Sequence, residues 1–246
     1  ADAVWFNSHF HRQDFLKAMR KYLARMPDFQ EIALLEAIEQ KSSVQPPGIA
    51  TFPQRPKQRA GPLRILWAAR WEHDKNPEAF FAALDQLVAA GIDFRVSVIG
   101  EQFREIPRVF PASQQKLASR IDHWGFQATR AEYEAVLSQA DVYVSTANHE
   151  FFGIAAVEAI AAGCFPLLPD RLAYPELVCE AADSSQFLYD GTVDDLVRRL
   201  RWCAAELDRL ENLAEGLRKS NQRFAWSLRA EEMDNRLELL ADRTIA

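Results

Sequence analysis

The fold is decided by residues 140–163, ADVYVSTANHEFFGIAAVEAIAAG. Residues 142–146 are apolar and β-branched, which predicts a buried strand. Residues 153–162 are rich in alanine, which predicts a helix. Gly163 follows them and predicts the end of that helix, because glycine commonly ends helices. Glu150 and Gly153 fall in the short turn between strand and helix, and Glu158 falls two turns into the helix.

This turn suits an anionic ligand that carries hydroxyl groups. A helix N-terminus offers free N–H groups and the positive end of its dipole to a diphosphate. We expect the backbone of Phe152, Gly153 and Ile154 to supply these donors, and Glu150 and Glu158 to accept hydrogen bonds from sugar hydroxyls. The alternative is that Glu150 caps the helix and Glu158 lies on its solvated face. The predicted apolar stripe of the helix comprises Ile154, Val157, Ile160 and Ala161.

A second strand–loop–helix unit supports the first. Residues 63–69 predict a strand, and a polar loop with Arg70 and Lys75 follows it. Asn76 is a suitable N-cap and Pro77 a suitable first residue for the next helix. Ligands of open α/β sheets bind at the carboxyl ends of strands, and arginine and lysine are the usual partners of phosphate there. We therefore predict Arg70 and Lys75 as phosphate ligands, the alternative being ordinary surface cations.

The Glu150 to Glu158 stretch resembles the carboxylate pair, separated by seven residues, of retaining family 4 glycosyltransferases with the two-domain GT-B fold. Several further motifs resemble more narrowly the tRNA-queuosine alpha-mannosyltransferase family. They comprise residues 70–78 (RWEHDKNPE), 123–125 (HWG), 149–153 (HEFFG), 173–176 (AYPE) and 224–226 (FAW).

The resemblance implies transfer of mannose from GDP-mannose, with retention at the anomeric carbon, to queuosine in tRNA. Arg70 and Lys75 would bind the diphosphate and act in catalysis with Glu150, which would hold hydroxyls of the donor sugar. Glu158 would hold the ribose. No Asp-x-Asp follows a predicted strand, so we expect no metal ion and no cofactor, the cations and the helix dipole taking that role.

Three further residues are predicted to contact the donor. His149 would touch the sugar or a phosphate, or else cap the helix beside it. The backbone of Gly100 would pass close to the ligand, although a plain turn explains this glycine equally well. Gly125 ends a strand after Trp124, and its backbone would meet the guanine, with buried packing as the other account of Trp124. We place Trp67, Trp202 and Trp226 in the core.

From residue 62 onward, strands and helices alternate, which predicts a Rossmann-like parallel sheet with helices on both faces. Predicted strands are 63–69, 94–99, 121–125, 142–146, 165–168 and 187–189, and predicted helices are 77–90, 113–120, 130–139, 153–162 and 193–214. We interpret residues 1–50 as the remnant of an amino-terminal Rossmann-like domain, 51–61 as a linker and 62–219 as the nucleotide-sugar-binding domain. Residues 220–246 would form a helix that crosses back toward the first domain.

The bulk composition limits the function classes. A content of 48% hydrophobic and 26% charged residues in 246 is typical of a globular protein, and no apolar run approaches the ~20 residues of a membrane span. An odd number of cysteines without metal spacing indicates reduced thiols and a cytoplasmic protein. The formal charge of −6 argues against an extended nucleic-acid-binding surface.

Three alternatives to a tRNA mannosyltransferase stay open. The first is a retaining transferase for a lipid, glycan or small-molecule acceptor, and the second is a nucleotide-sugar-binding module without turnover. The third is a sugar-nucleotide epimerase of the same fold. Since residues 1–50 lack most of a domain that would hold the acceptor, we expect this chain alone to bind the donor without transferring it. Its oligomeric state cannot be predicted.

Overall fold

The computed structural model describes residues 1–28, 30–53 and 61–245. Residues 54–60, most of the predicted linker, lie outside this range. The main sheet has six parallel strands in the order β5-β4-β3-β6-β7-β8. They are β3 (Leu63–Ala68), β4 (Phe94–Ile99), β5 (Ile121–Gly125), β6 (Val142–Val144), β7 (Phe165–Pro169) and β8 (Leu188–Tyr189).

The strand order creates a switch point in the middle of the sheet. From β3 the chain builds outward through β4 to β5, then returns to the other side of β3 and builds outward again from β6. At the carboxyl ends of β3 and β6 the following loops therefore leave in opposite directions, and a crevice opens between them. Both loops with predicted site residues start at this crevice.

Helices connect the strands and cover both faces of the sheet. They are α3 (Pro77–Ala89), α4 (Val109–Lys116), α5 (Arg130–Gln139), α6 (Ile154–Ala161), α7 (Tyr174–Val178), α8 (Val193–Ala205) and α9 (Leu207–Ser220). The prediction for α5 was correct at both ends, and Thr129 and Glu132 form a capping box that fixes its start. Short 3-10 turns lie at His73–Lys75, Ala118–Arg120, Ser184–Phe187 and Asn221–Phe224.

Two helix predictions were wrong. Residues 193–214 form two helices rather than one, with a break at Glu206, where φ is −125° and ψ is 40°. The break follows from packing, since α8 contacts α3 while α9 contacts α6 and β7. The helix predicted at 113–120 begins at Val109 instead, because Pro111 lies in its first turn, where a missing N–H is tolerated.

The core lies on both faces of the central strands. Burial patterns of β3 and β6 are nearly continuous, as expected for parallel strands covered on both sides. Trp67 is fully buried, as predicted, and Trp202 packs on the core while partly buried. The prediction for Trp226 was wrong, since 54% of it is exposed. It stands at the first position of a terminal helix whose sequence is amphipathic.

Residues 1–50, the amino-terminal unit, form a small parallel sheet with two helices. Strands β1 (Val4–Phe6) and β2 (Ser42–Val44) pair in parallel, and α1 (His9–Leu23) and α2 (Ile32–Gln40) connect them. The terminal helix α10 (Trp226–Ile245) contacts this unit. Arg229 donates to the carbonyl of Pro46 and to the side chain of Gln45, and Trp226 N donates to Ile49 O. Among the described helices, none is both long and apolar enough to cross a bilayer.

Candidate functional site

A cavity of about 330 Å³ opens at the switch point, between the carboxyl ends of β3 and β6. The loop after β3 contributes Arg70 and Lys75 to its wall, and the loop after β6 contributes Glu150. Gly153 and Ile154, at the start of α6, close the same wall. The structure thus brings together five of the residues predicted from the sequence.

Lys75 is the cation at the centre of this site. Its ammonium donates to the carbonyl of His149 at 2.7 Å and lies 3.1 Å from Asp74 and 3.5 Å from Glu150. The residue is only 8% exposed, so these interactions are weakly screened by water. Lys75 therefore ties the loop after β3 to the loop after β6 and fixes one positive charge at the cavity.

A chain of hydrogen bonds holds the backbone of Lys75 from below. Trp67 Nε1, on β3, donates to the hydroxyl of Thr146 at 3.2 Å. That hydroxyl in turn donates to the carbonyl of Lys75 at 2.8 Å. Since all three groups are buried, this chain fixes the position of Lys75 in the loop after β3.

Glu150 has both carboxylate oxygens engaged. Oε1 accepts from the backbone N–H groups of Phe151 and Phe152, at 3.1 and 3.4 Å, and Oε2 faces Lys75. The carboxylate therefore stabilises the turn that carries it. The two N–H groups belong to residues that precede α6, whose N-cap Gly153 has no side-chain cap hydrogen bond, so the alternative that Glu150 caps the helix is wrong. Its side chain is still 27% exposed, and each oxygen has further lone pairs that can accept from a ligand.

Arg70 is positioned more loosely. Its guanidinium lies 3.1 Å from Glu72, within the same loop, and its side chain is 54% exposed. An exposed ion pair of this kind contributes little energy. Arg70 is thus free to turn toward an anion in the cavity, whereas Lys75 is already held there.

The start of α6 meets the cavity through its backbone. Gly153 is the N-cap residue and adopts φ 90°, ψ 50°, a left-handed conformation that glycine tolerates best. A Cβ at this position would lie 3.0 Å from the ring of Tyr174. Because Gly153 offers no side chain as a cap, the first N–H groups of α6 are open to an anion.

The prediction for Ile154 as part of the apolar stripe was wrong. It is 48% exposed at the first position of α6, whereas Val157 and Ile160 are buried as predicted. The reason is its place at the helix end, where the side chain borders the cavity instead of the sheet.

Two tyrosines form part of the cavity wall beneath these charges. Tyr174 shares a 2.6 Å hydrogen bond with the hydroxyl of Ser145, and Tyr143 lies beside it. Burial raises the pKa of both phenols well above the ordinary value, and the charge of Glu150 adds to the effect. Both therefore remain protonated at neutral pH and can donate a hydrogen bond, but cannot act as bases.

Glu158 does not line the cavity, although it lies on α6. It is 8% exposed, and its two oxygens accept from Arg130 Nη1 at 2.7 Å and from Tyr133 OH at 2.8 Å. The alternative of a solvated helix face is thus wrong. Arg130 stands between the rings of Phe52 and Tyr133, at 5.3 and 5.2 Å from their centres.

The remaining predicted ligands are not among the described residues that line the cavity. His149 is exposed and contributes its carbonyl to Lys75, and Phe152 is buried against Phe224. Gly100 N donates to Gly125 O at the ends of β4 and β5. A Cβ on Gly100 would lie 1.7 Å from the carbonyl oxygen of Ala69, so this glycine permits close packing behind the cavity wall. Their direct contact with a donor stays a prediction.

Trp124, the neighbour of Gly125, packs against aromatic rings. Its ring lies 5.2 Å from Trp71 in an edge arrangement and 6.0 Å from Phe81. This contact agrees with the packing account of Trp124. Within the part of the chain that the structure describes, no three His, Cys, Asp or Glu side chains cluster as metal ligands would.

Comparison with known proteins gives the site its context. The family described as Glycosyl transferases group 1 matches residues 49–236, which is most of the chain and includes every part of the cavity. The chain belongs to this glycosyltransferase family. Residues 1–49 match a second family, described as tRNA-queuosine alpha-mannosyltransferase N-terminal.

Two curated relatives of the chain show the range of similarity. The tRNA-queuosine alpha-mannosyltransferase of Drosophila melanogaster is 39% identical over 188 residues, which cover 72% of this chain and 50% of that protein. A GDP-mannose-dependent alpha-(1-6)-phosphatidylinositol dimannoside mannosyltransferase of Mycobacterium tuberculosis is 28% identical over 149 residues, covering 56% and 38%. The chain spans half or less of the length of these relatives.

Solved structures confirm the GT-B type of fold. The sucrose-phosphate synthase of Thermosynechococcus elongatus superimposes with a TM-score of 0.75 at 20% identity, covering 99% of this glycosyltransferase and 59% of that chain. Anabaena HepE in complex with UDP-glucose superimposes with a TM-score of 0.74 at 17% identity, covering 97% and 64%.

Sequence reasoning missed several residues of this glycosyltransferase site. Tyr143 and Thr146 were assigned only to a strand, although a polar group in an apolar strand is a signal that it has a buried partner. Tyr174 was noticed for its position but given no role. Ser8 and Glu176 were not assigned to the site, because the partners that connect them to it are distant in sequence.

Proposed function

We propose that this glycosyltransferase binds GDP-mannose in the cavity at the switch point and transfers mannose, with retention, to queuosine in tRNA. The observation that carries the proposal is the set of charges on the cavity wall. Lys75, Arg70 and the open N-terminus of α6 offer positive charge to a diphosphate, and Glu150 offers acceptor oxygens to sugar hydroxyls beside it.

In the proposed reaction, the bond between mannose C1 and the β-phosphate oxygen breaks, and negative charge grows on the departing GDP. Lys75, Arg70 and the first N–H groups of α6 stabilise that charge, and this stabilisation is the main catalytic effect. The acceptor hydroxyl forms its new bond to C1 on the face that GDP leaves, and its proton passes to the departing β-phosphate oxygen. Glu150 holds the mannose through its hydroxyls, and no metal ion or cofactor takes part.

Glu158 is proposed to bind the ribose through lone pairs that Arg130 and Tyr133 leave unused. Its two existing hydrogen bonds hold the carboxylate in place. Glu158 is the fifth residue of α6 and lies more than one helix turn from the end that would bind the diphosphate. A carboxylate at this distance suits the nucleoside rather than the hexose.

The hexose, the base and the acceptor are supported by the relatives. Both relatives named above are mannosyltransferases, and the Mycobacterium protein is GDP-mannose-dependent by name. Queuosine is supported by the Drosophila relative and by the family that matches residues 1–49. A cytoplasmic location, where tRNA is modified, is part of the same proposal.

The first test is calorimetric titration with GDP-mannose and UDP-glucose. We expect GDP-mannose to bind at least about tenfold more tightly, and Glu158→Ala to weaken both GDP and GDP-mannose. Binding that requires Mn²⁺, or no binding of either nucleotide sugar, would refute the donor assignment. Glu211→Ala, a glutamate on the exposed side of α9, is the matched control.

The acceptor needs a transfer assay. Radiolabelled GDP-mannose is incubated with tRNA that contains queuosine and with the same tRNA lacking it. We expect label in the first tRNA only. We also expect label only when the assay uses a protein that includes the part of the relatives' length that this chain does not cover. Because the Mycobacterium relative acts on a phosphatidylinositol dimannoside, a lipid acceptor is the second candidate. Label in lipid instead of tRNA would establish it.

A further inference from the structure

The first turn of α1, in the amino-terminal unit, contacts the turn that carries Glu150. Ser8 is the N-cap of α1, and its hydroxyl accepts from His11 N at 3.0 Å. The same hydroxyl donates to the carbonyl of Phe151 at 2.6 Å. Ser8 is 3% exposed, so one buried hydroxyl joins the helix start to the turn.

A carboxylate from the other side of the site completes this junction. Glu176, on α7, accepts from His9 N at 2.9 Å and from Phe10 N at 2.7 Å. These are N–H groups of the first turn of α1, which have no partner within the helix. A negative charge at this end also interacts favourably with the helix dipole. Glu176 thus caps a helix that lies 166 residues away in the sequence.

Aromatic packing fixes the same turn from a third direction. The ring of His11 stacks on Phe151, with centres 4.2 Å apart and planes 21° from parallel. His149 contacts the opposite part of the turn, its ring 4.6 Å from Phe151 in an edge arrangement. Phe151 is therefore held through both its carbonyl and its ring.

The position of Phe151 determines the position of the Glu150 carboxylate. Phe151 is adjacent to Glu150 in the chain, and its N–H donates to Glu150 Oε1 at 3.1 Å. A shift of the Phe151 backbone would move that donor and turn the carboxylate toward Lys75. The diphosphate-binding groups lie on the loop after β3 and on α6. Among them Lys75 is paired with Glu150, but Asp74 and the carbonyl of His149 also hold its ammonium, at 3.1 and 2.7 Å.

We propose that Ser8 and Glu176 are positioning residues that hold Glu150 in the geometry for recognising the donor hexose. They form a latch between the amino-terminal unit and the donor cavity, and the latch acts on sugar recognition rather than on nucleotide binding. This inference rests on the proposed function, since it assumes that Glu150 binds the hexose of a nucleotide sugar.

The test separates the two parts of the donor. Affinities for GDP and for GDP-mannose are measured by calorimetry for the wild type, Ser8→Ala and Glu176→Gln. We expect GDP-mannose to bind about tenfold more weakly to Ser8→Ala, with GDP affinity changed less than about twofold. Glu176→Gln keeps one acceptor oxygen, so its loss of GDP-mannose affinity should be about half that of Ser8→Ala on a logarithmic scale.

Matched controls remove the general effect of losing a cap or a carboxylate. Thr192→Ala deletes the N-cap hydroxyl of α8, which accepts from Asp195 N at 3.2 Å far from the cavity. Glu215→Gln replaces with an amide a carboxylate that accepts two hydrogen bonds from Arg218 on α9. Both controls should leave GDP-mannose and GDP affinity unchanged. Thermal unfolding establishes that each variant is folded at the temperature of the titration.

Each outcome has a separate meaning. If the wild type binds neither ligand, the proposed function fails before the latch is tested. If the wild type binds GDP-mannose and Ser8→Ala binds it equally well, the latch is refuted. An equal loss of GDP and GDP-mannose affinity also refutes it, since the change would then affect the whole cavity. If Ser8→Ala does not fold, the nearly isosteric Glu176→Gln decides by the same comparison.

Discussion

Replacing Lys75 with methionine should abolish most of the donor affinity while leaving the fold intact. Methionine has nearly the same length and volume, so the buried stem of the side chain keeps its packing. What disappears is the ammonium group, with its 2.7 Å hydrogen bond to His149 O and its contacts to Asp74 and Glu150. The two carboxylates then lose the cation between them.

The magnitude follows from these distances. A pair of unit charges 3.5 Å apart, as for Lys75 and Glu150, interacts with about 4.7 kcal/mol at an effective permittivity of about 20, before desolvation is subtracted. Measured net values for hydrogen bonds to charged groups are smaller, about 1.5–3 kcal/mol. Since 1.4 kcal/mol corresponds to a factor of ten, we expect GDP to bind Lys75→Met about 10- to 150-fold more weakly.

Calorimetry with GDP and GDP-mannose measures this loss, and Lys116→Met is the matched control. Lys116 also pairs with a carboxylate, Asp85 at 2.7 Å, but it is exposed and distant from the cavity. Its replacement should leave affinity within about twofold of the wild type. If Lys75→Met bound GDP as tightly as Lys116→Met does, the assignment of Lys75 as the central phosphate ligand would be wrong.

Three further predictions concern stability and pH. Gly100→Ala should lower the free energy of unfolding by more than about 3 kcal/mol, because its Cβ would lie 1.7 Å from a backbone oxygen. Gly216→Ala is the control, since Gly216 lies within α9 with open space around it, and it should raise the free energy of unfolding by about 0.5–1 kcal/mol. Urea unfolding checks both, and equal values for the two variants would contradict the packing argument. Tyr133→Phe should cost about 1.5–3 kcal/mol, since it removes a 2.8 Å hydrogen bond to a buried carboxylate, while the same change at exposed Tyr22 should cost nothing measurable. Burial lowers the pKa of His11 below its ordinary value near 6.5, and Asp14 opposes this with a smaller effect. The folded state thus favours the neutral ring, so stability is fully present above pH 6.5 and falls as the pH drops below it. Thermal unfolding from pH 7.5 to 5.5 should show a smaller fall for His11→Gln than for the wild type.

The parts of the fold that the sequence predicted correctly are those with local signals. Helix α5 was predicted correctly at both ends, and the local signal for its start is the capping box of Thr129 and Glu132. Strands β4 and β5 were also correct at both ends, and in β4 the alternation of Phe94, Val96 and Val98 with polar residues is a local strand signal. Arg70, Lys75, Glu150 and Gly153 were predicted together for a topological reason. Loops at the carboxyl ends of adjacent parallel strands meet at one edge of the sheet.

The errors arose where tertiary contacts override the local pattern. Nothing in residues 193–214 marks the break at Glu206, because it reflects the different neighbours of α8 and α9. Trp226 was assigned to the core on residue type alone, but it begins an amphipathic helix on its exposed side. The partners of Glu158 lie on α5, and neither Arg130 nor Tyr133 has a signal in the sequence that points to a carboxylate 25 or more residues away.

The cap that Glu176 provides for α1 also has a consequence for the order of folding. The first N–H groups of α1 donate to a carboxylate 166 residues away in the sequence. Residues close to α1 in the chain therefore do not supply all of the hydrogen-bond acceptors at its start. The loop that this contact closes contains the whole of strands β3 to β7, so the contact adds to the share of non-local contacts that slows folding. Residues 1–50 would leave the ribosome long before their cap does. The start of α1 can therefore acquire its final hydrogen bonds only after Glu176, which follows β7 in the chain, has been synthesised.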